Sequence, residues 1–289
     1  MKQAELCEKI RGKRIRCLAC AHKCVMNKGE SGVCRIRKNI NDKLMLLVYG
    51  KVISWNIDSI EKKPLYHFLP KSKSFSIGTI GCNFKCDFCQ NWDISQASKQ
   101  GDEIVLGQEM SKEQIVEQAI KSNCKSIAYT YNEPIIFAEF VKDVAELAHE
   151  KGLKNVIVTN GYWSEQSFDY LKDVIDAVNI DLKSMNDDYY KRFCGGRLQP
   201  VLDTIKRCHD AGIHIEITTL LVPNENDSEE ELENIARFLS NIDKSIVWHI
   251  SRFFPMYKML DKNVTSRESL EKAYKIGKKY LNNVYLGNV

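Results

Sequence analysis

The chain has 289 residues, of which 44% are hydrophobic and 28% are charged, and its formal net charge is +4 with a pI near 8.4. This composition is typical of a globular protein, and so small a positive charge does not indicate nucleic-acid binding. Residues 1–16 lack the apolar segment of a signal peptide, and no run of about 18 apolar residues predicts a membrane span. We therefore expect a cytoplasmic protein with no nucleic-acid or membrane partner.

The N-terminal part of the chain is rich in cysteine. The chain contains 11 cysteines, and clustered thiols without an export signal indicate metal binding rather than disulfides. Cys17, Cys20, Cys24 and Cys34 are sufficient for a tetrahedral zinc site. An auxiliary iron–sulfur cluster and free thiols remain as alternatives, because thiolates suit both iron and zinc. We predict a metal-binding module over residues 1–70, with zinc favoured, that includes a β-hairpin at 44–55.

Strand and helix patterns alternate along the rest of the chain. Six apolar segments are typical of buried strands: 75–80, 126–131, 155–159, 177–181, 214–222 and 245–250. Capping residues indicate helix starts at Ser111, Ser228 and Thr265, and helix ends at Gly152 and Gly212. Such alternation favours a parallel sheet. Because six units are too few for a closed eight-stranded barrel, we predict an α/β fold over 71–289, a partial open (β/α)6 TIM-type barrel.

A second group of cysteines directly follows the first of these strands. Cys82, Cys86 and Cys89 have the spacing C-x3-C-x2-C. A ferredoxin-type [4Fe–4S] cluster takes four cysteines, so three would leave one iron open to another ligand. The alternative is a structural zinc site with a fourth ligand from elsewhere, such as His67. We favour the cluster.

Polar residues follow the other predicted strands. In parallel βα folds the carboxyl ends of the strands meet at one edge, where ligands bind. We therefore expect a polar rim around the cysteine loop. Its candidate members are Glu133, Thr159, Asn160, Asp181, Lys183 and His249.

These motifs together resemble those of a known superfamily. The C-x3-C-x2-C loop that opens a βα barrel is similar to that of the radical S-adenosylmethionine (SAM) superfamily. Cys89-Gln90-Asn91, Thr-Asn-Gly at 159–161 and Asp-Leu-Lys-Ser-Met-Asn at 181–186 resemble glycyl-radical-enzyme activases, such as pyruvate formate-lyase activating enzyme. The whole chain is most similar to the AmmeMemoRadiSam radical SAM family. That similarity includes the cysteine-rich N-terminus, Glu-Lys-Lys-Pro-Leu at 61–65 and the segment 248–255.

The resemblance implies a mechanism. Cys82, Cys86 and Cys89 would hold a [4Fe–4S] cluster whose open iron binds SAM. One electron would cleave SAM to methionine and a 5′-deoxyadenosyl radical, which abstracts a hydrogen atom from substrate. Glu133 would accept a hydrogen bond from the SAM ammonium, and Lys183 would meet its carboxylate or ribose. The resemblance also implies cofactor-binding positions at Phe88, near the adenine, and at Asn91, Thr159, Asn160, Asp181, Leu221 and His249.

The same resemblance implies partners, although two features depart from it. A flavodoxin or ferredoxin type of donor would supply the electron, and a protein is one candidate substrate. Val158 replaces the Asp that precedes Thr-Asn-Gly in the activases, and the family's Cys-Pro-x-Cys tail does not precede Val289. Arg-Val-x-Gly-Tyr, the signature of a glycyl radical recipient, does not occur. The alternative functions are a radical SAM enzyme acting on a small molecule and a non-catalytic iron–sulfur or zinc protein.

Overall fold

The N-terminal part forms two small antiparallel sheets in the computed structural model, which describes residues 1–99 and 106–289. Its strands are β1 (Lys2–Gln3), β2 (Cys7–Ile10), β3 (Arg14–Cys17), β4 (Val25–Met26), β5 (Arg37–Ile40) and β6 (Lys43–Leu46). One sheet has the order β1-β6-β5 and the other β2-β3-β4.

The hairpin of this module lies at a different place from the predicted one. Strands β5 and β6 pair across a two-residue turn at Asn41 and Asp42, whose φ angles are 51° and 62°. Two positive φ angles are typical of the tight turn whose twist matches that of paired strands, and Asn and Asp tolerate them. Within the predicted hairpin at 44–55, Lys51–Val52 pairs with Gln108–Glu109 and not with Lys43–Leu46, so that prediction is wrong.

The main domain is built on one eight-stranded sheet. The remaining strands are β7 (Lys51–Val52), β8 (Ser54–Ser59), β9 (Lys73–Gly78), β10 (Gln108–Glu109), β11 (Ser126–Tyr129), β12 (Lys154–Thr159), β13 (Ala177–Asp181), β14 (His214–Leu221), β15 (Val247–Arg252) and β16 (Asn283–Gly287). The large sheet has the order β16-β15-β14-β13-β12-β11-β9-β8, and β8 is its only antiparallel member; β7 pairs with β10. The six predicted strands are all present, β16 adds a seventh parallel strand, and the open sheet confirms the predicted partial barrel.

Helices cover the parallel strands, and their ends test the capping predictions. The helices are α1 (Trp92–Ser95), α2 (Lys112–Lys121), α3 (Ala138–Glu150), α4 (Glu165–Leu171), α5 (Asp187–Tyr189), α6 (Gln199–Asp210), α7 (Glu229–Ile242) and α8 (Arg267–Tyr280), and a π-helical turn spans Tyr190–Cys194. Ser111 and Ser228 cap α2 and α7 as predicted, and Gly152 and Gly212 have φ near +75° after α3 and α6. Thr265 is not a cap, because Ser266 caps α8. Within the described ranges, no helix is both long and apolar enough to cross a membrane.

The interior of the open barrel is filled by the segment that precedes β9. Ile60 and Leu65 pack among small apolar side chains of β11, β12 and β13. Glu216 on β14 accepts hydrogen bonds from the backbone N–H groups of Tyr66 and His67, at 2.9 and 2.7 Å. The His67 ring bonds the Tyr285 hydroxyl at 2.8 Å. Residues 54–70 therefore pack with the barrel, although the predicted boundary at residue 70 assigned them to the N-terminal module.

A buried ion pair joins the N-terminal module to the barrel. The Arg37 guanidinium forms two hydrogen bonds with the Glu139 carboxylate on α3, and it donates another to the Ile136 carbonyl at 2.6 Å. The same carboxylate accepts hydrogen bonds from the backbone N–H groups of Glu5 and Leu6, at 3.0 and 3.2 Å. Both side chains are almost fully buried, at 1% and 0% exposure. This pair therefore connects three segments that are distant in sequence.

Candidate active site

The three cysteines of the C-x3-C-x2-C loop line one cavity at the carboxyl ends of the parallel strands. Cys82, Cys86 and Cys89 border a cavity of about 360 Å³. All three are free thiols, and Cys86 is 9% exposed. The cavity lies at the edge where ligands bind in parallel βα folds. The structure thus brings together the three residues that the sequence singled out.

The surroundings of these sulfurs suit an iron–sulfur cluster. Burial raises the pKa of the Cys82 and Cys89 thiols, so a bound cation is needed to favour their thiolate forms. The Cys82 sulfur lies 3.4 Å from the Phe84 backbone nitrogen, which donates to it, and the Cys89 sulfur lies 3.2 Å from the Ser95 hydroxyl. Hydrogen bonds of this kind to cluster ligands tune an iron–sulfur centre. Free thiols, local donors and adjoining space together fit the predicted [4Fe–4S] cluster.

An ion pair and an aromatic ring form one wall of the cavity. Lys183 Nζ lies 2.8 Å from an Asp181 carboxylate oxygen and 5.6 Å from the centroid of the Phe88 ring. All three residues border the cavity. Burial disfavours the charged ammonium, but the Asp181 carboxylate holds the pKa of Lys183 well above its usual value. This wall therefore offers fixed positive and negative groups beside an apolar ring.

A buried carboxylate supports the neighbouring wall from behind. Glu133 is 0% exposed, and its carboxylate accepts hydrogen bonds from the Thr159 hydroxyl and the Asn160 backbone N–H, both at 2.7 Å, and from the Ile135 N–H at 3.1 Å. Burial raises the pKa of Glu133 to about 7. Thr159 and Asn160 border the cavity, whereas Glu133 does not. Glu133 thus lies one layer behind the surface that the sequence assigned to it.

Asparagine side chains join the cysteine loop to the strand ends. Asn160 donates a 2.7 Å hydrogen bond to the Asn83 side-chain oxygen, and Asn91 donates one of 2.8 Å to the Tyr131 carbonyl. Asn132 was not among the predicted site residues. Its side chain donates a hydrogen bond to the Gly81 carbonyl at 2.8 Å. The sequence feature that could have identified Asn132 is its position directly before Glu133. These contacts fix the loop against the cavity.

Besides Glu133, two predicted cofactor-binding residues do not border the cavity. Leu221 is fully buried on the other face of β14, because side chains alternate along a strand; Leu220 borders the cavity instead. His249 is directed into the barrel interior, where its Nε2 lies 2.6 Å from the Glu216 carboxylate. The Tyr285 ring stacks on the imidazole with centroids 5.8 Å apart. Leu221 and His249 are therefore packing residues here.

The four N-terminal cysteines are gathered in the small module. Cys17, Cys20 and Cys34 are buried and Cys24 is half-buried, and the Cys17 N–H donates to the Cys24 carbonyl at 2.9 Å. In residues 1–99 and 106–289, no group of three or more Cys, His, Asp or Glu side chains converges closely enough to hold one metal ion. Cys82, Cys86 and Cys89 need not converge on one point, because each thiolate of a [4Fe–4S] cluster binds a different iron. A zinc ion would require these four thiols to turn towards a common centre, so this site stays a prediction.

The chain is similar to known proteins over most of its length. A sequence profile of the Radical SAM superfamily matches residues 76–239. An uncharacterized protein of Methanocaldococcus jannaschii, MJ0808, is 44% identical over all of this chain and 86% of its own length. A putative glycyl-radical enzyme activating enzyme of the same organism, MJ1227, is 30% identical over 76% of this chain and 91% of its own length.

A solved structure supports the fold independently. The crystal structure of a radical SAM methyltransferase from Sphaerobacter thermophilus superposes with a TM-score of 0.57 and 14% identity, and covers 76% of this chain and 67% of that one. Members of the matched superfamily use a [4Fe–4S] cluster and SAM. The chain belongs to the radical SAM superfamily and is a radical SAM enzyme.

Proposed function

We propose that this enzyme abstracts a hydrogen atom from a protein or peptide, as a glycyl-radical-enzyme activase does. The observation that supports this most directly is the open rim of the cavity. Lys62, Gln90, Asn91 and Asn288 border the cavity and are exposed. The sheet does not close around it. A protein segment therefore has room to approach the cysteine loop, whereas we would expect an enzyme that acts on a small molecule to enclose its substrate in a closed pocket.

An exposed aromatic pair beside the rim supports a macromolecular substrate. The Trp92 and Tyr257 rings stack with centroids 5.3 Å apart and an interplanar angle of 10°. Trp92 remains 37% exposed and directly follows the rim residue Asn91. The segment of Tyr257 is held against the cysteine loop because the Lys258 N–H donates to the Asp87 carbonyl at 3.0 Å. Exposed aromatic surface next to a site favours contact with another chain.

The described residues have distinct roles in this proposal. When bound and reduced, the cluster supplies the electron that cleaves SAM to methionine and a 5′-deoxyadenosyl radical. Cys82, Cys86 and Cys89 hold the cluster. The charges of Asp181 and Lys183 orient the polar groups of SAM, and Phe88 offers an apolar face. Glu133 keeps Thr159 and Asn160 in place and directs negative charge towards the SAM ammonium.

A basic cleft behind the cysteine loop supports a small acidic redox protein as the electron donor. The cleft has a volume of about 510 Å³, and Arg35, Lys85 and Lys99 line it. Lys99 Nζ donates a 2.7 Å hydrogen bond to the Phe84 carbonyl, inside the cysteine loop. Positive charge at this place would attract an acidic donor such as a flavodoxin or ferredoxin.

The first test is SAM cleavage by anaerobically reconstituted protein. We expect about four irons per chain for the cluster and about one zinc for the four N-terminal cysteines. Addition of dithionite and SAM should yield methionine and 5′-deoxyadenosine, measured by liquid chromatography and mass spectrometry. Absence of both products from iron-loaded protein would refute the proposed reaction. Iron well above four per chain, without zinc, would show that the N-terminal cysteines hold a second cluster.

The substrate class can be tested in the same assay. A synthetic peptide Arg-Val-Ser-Gly-Tyr, with deuterium at the glycine Cα, presents the recipient signature of glycyl radical enzymes. Transfer of deuterium to 5′-deoxyadenosine is expected if the enzyme abstracts from such a glycine. SAM cleavage without deuterium transfer would count against the proposed activase function, but it would still demonstrate radical SAM chemistry.

Replacing Glu133 with alanine should weaken SAM binding by about ten- to a hundredfold. The substitution removes the acceptor that keeps Thr159 and Asn160 in place at the cavity and the negative charge directed towards the SAM ammonium. The expected change corresponds to about 1.4–2.8 kcal/mol of binding free energy, since each 1.4 kcal/mol is tenfold in affinity. Equilibrium dialysis with radiolabelled SAM on the unreduced, iron-loaded protein measures this change.

A matched control for Glu133→Ala is Asp176→Ala. Asp176 also accepts several hydrogen bonds, from His149, Lys154 and the Asn155 N–H, at 2.7–2.8 Å, but it lies just before β13, at the opposite ends of the strands. It should lower stability and leave SAM affinity unchanged. If Glu133→Ala instead loses iron, the residue supports the cluster loop and not SAM.

A further inference from the structure

A short N-terminal segment, residues 18–22, packs behind one wall of the cavity. Ala21 donates its backbone N–H to the Tyr162 carbonyl at 3.1 Å, and Cys20 forms an isolated β-bridge with Trp163. Tyr162 and Trp163 belong to the turn after β12, a strand whose carboxyl end borders the cavity. The segment is therefore fixed to one of the strand ends that form the cavity.

The last residue of this segment reaches the cysteine loop. His22 Nε2 lies 2.9 Å from the Asn83 carbonyl oxygen. A carbonyl oxygen only accepts hydrogen bonds, so this nitrogen carries the proton and donates. The imidazole also faces the rings of Tyr162 and Phe84, with centroids 4.7 and 6.4 Å away. Because Asn83 directly follows Cys82, the hydrogen bond fixes the loop beside its first cysteine.

Two asparagine side chains complete a ring of hydrogen bonds. The Tyr162 N–H donates to the Asn160 side-chain oxygen at 3.0 Å, so the amide nitrogen of Asn160 is left to donate elsewhere. That nitrogen donates to the Asn83 side-chain oxygen at 2.7 Å. The ring runs from Ala21 through Tyr162, Asn160 and Asn83 to His22, which follows Ala21 in the chain. Of these five residues, Asn160 borders the cavity.

The ring connects His22 to the predicted cofactor site. We propose that His22 is a positioning residue, whose hydrogen bond to Asn83 holds Asn160 in the orientation that binds SAM. Without this donor, Asn83 and Asn160 are less ordered before SAM binds, and the ordering of side chains on binding lowers affinity. The proposed function gives His22 no role, and the inference rests on the predicted place of SAM beside Asn160.

The test is equilibrium dialysis with radiolabelled SAM on unreduced, iron-loaded variants of His22. His22→Phe keeps an aromatic ring and removes the donor, so SAM should bind about three- to tenfold more weakly at unchanged iron content. His22→Gln restores a donor nitrogen and should recover most of the wild-type affinity. The matched control is His209→Phe, which should leave the affinity unchanged. His209 is also half-buried, but it lies near the end of α6, at the opposite ends of the strands.

A double variant tests whether His22 acts through Asn160. Asn160→Ala alone should weaken SAM binding. Adding His22→Phe to it should produce little further change, because the effects of residues that act through one another are not additive. Full additivity of the two substitutions would mean that His22 acts by another route, and it would overturn the inference.

The other outcomes are equally decisive. Wild-type affinity in iron-loaded His22→Phe overturns the inference, and so does an affinity of His22→Gln as low as that of His22→Phe, because the ring and not the hydrogen bond would then matter. Loss of iron from His22→Phe, or absence of SAM binding by the iron-loaded wild type, overturns it as well. The dialysis uses neither reductant nor peptide, so a lack of deuterium transfer would refute the proposed function and leave this result to be judged separately.

Discussion

Replacing Cys86 with alanine is expected to reduce formation of 5′-deoxyadenosine to the level of an assay without protein. Cys86 is the middle cysteine of the loop and lies between two backbone hydrogen bonds that fix the loop on the segment of Cys194. Since the loop supplies only three thiolates, loss of one leaves two irons of a cubane without a protein ligand. Iron content and product formation should be measured on the same anaerobic sample.

Cys208→Ala is the matched control for this substitution. Cys208 is also a fully buried thiol, but it lies on α6 and does not border the cavity. It should keep both iron and SAM cleavage. Product above background from Cys86→Ala, or equal loss from Cys208→Ala, would contradict the assignment of the loop as the cluster site.

The predicted residues that the structure places at the cavity can be recognised by local rules. The spacing of Cys82, Cys86 and Cys89 is short, so one loop brings them together whatever the rest of the chain does. Thr159 and Asp181 end their strands, and in a parallel sheet all strand ends meet at one edge. Both residues border the cavity. The fold class follows from the regular alternation of strands and helices, and the position of the cavity follows from the shared direction of the strands.

The parts that the sequence did not predict depend on contacts between distant segments. His249 lies on a strand of the barrel, but its ring contacts Glu216 on β14, which also accepts a hydrogen bond from Tyr66 in the connector before β9. His22 lies among the N-terminal cysteines in sequence, and only the packing of that module on the cysteine loop brings it to Asn83, 61 residues away. No local pattern carries such information, because side-chain direction and burial are set only when the tertiary structure forms.

Glu139→Ala is expected to lower the free energy of unfolding by about 3–5 kcal/mol, because it leaves the Arg37 guanidinium as an uncompensated charge in the protein interior. The Glu139 carboxylate also accepts hydrogen bonds from the backbone N–H groups of Glu5 and Leu6, so the segment between β1 and β2 loses these two bonds to α3. Its pKa is lowered: although burial acts in the opposite direction, the charge of Arg37 outweighs it. Folding stability from this pair is therefore present above the unfolded pKa, near 4.3, and is lost as the pH falls through the lower folded value.

A control and a double variant separate charge burial from simple loss of packing. Glu117 pairs with Lys121 on the surface of α2, with both side chains about two-thirds exposed, so Glu117→Ala should change the free energy of unfolding by no more than about 0.5 kcal/mol. If the buried charge causes the effect, Arg37→Met combined with Glu139→Leu should recover much of the stability lost in Glu139→Ala, since apolar residues of similar volume often replace a buried pair without penalty. Urea unfolding followed by circular dichroism measures all three variants. A double variant as unstable as Glu139→Ala would mean that the hydrogen bonds to Glu5, Leu6 and Ile136, rather than the paired charges, hold the module on the barrel.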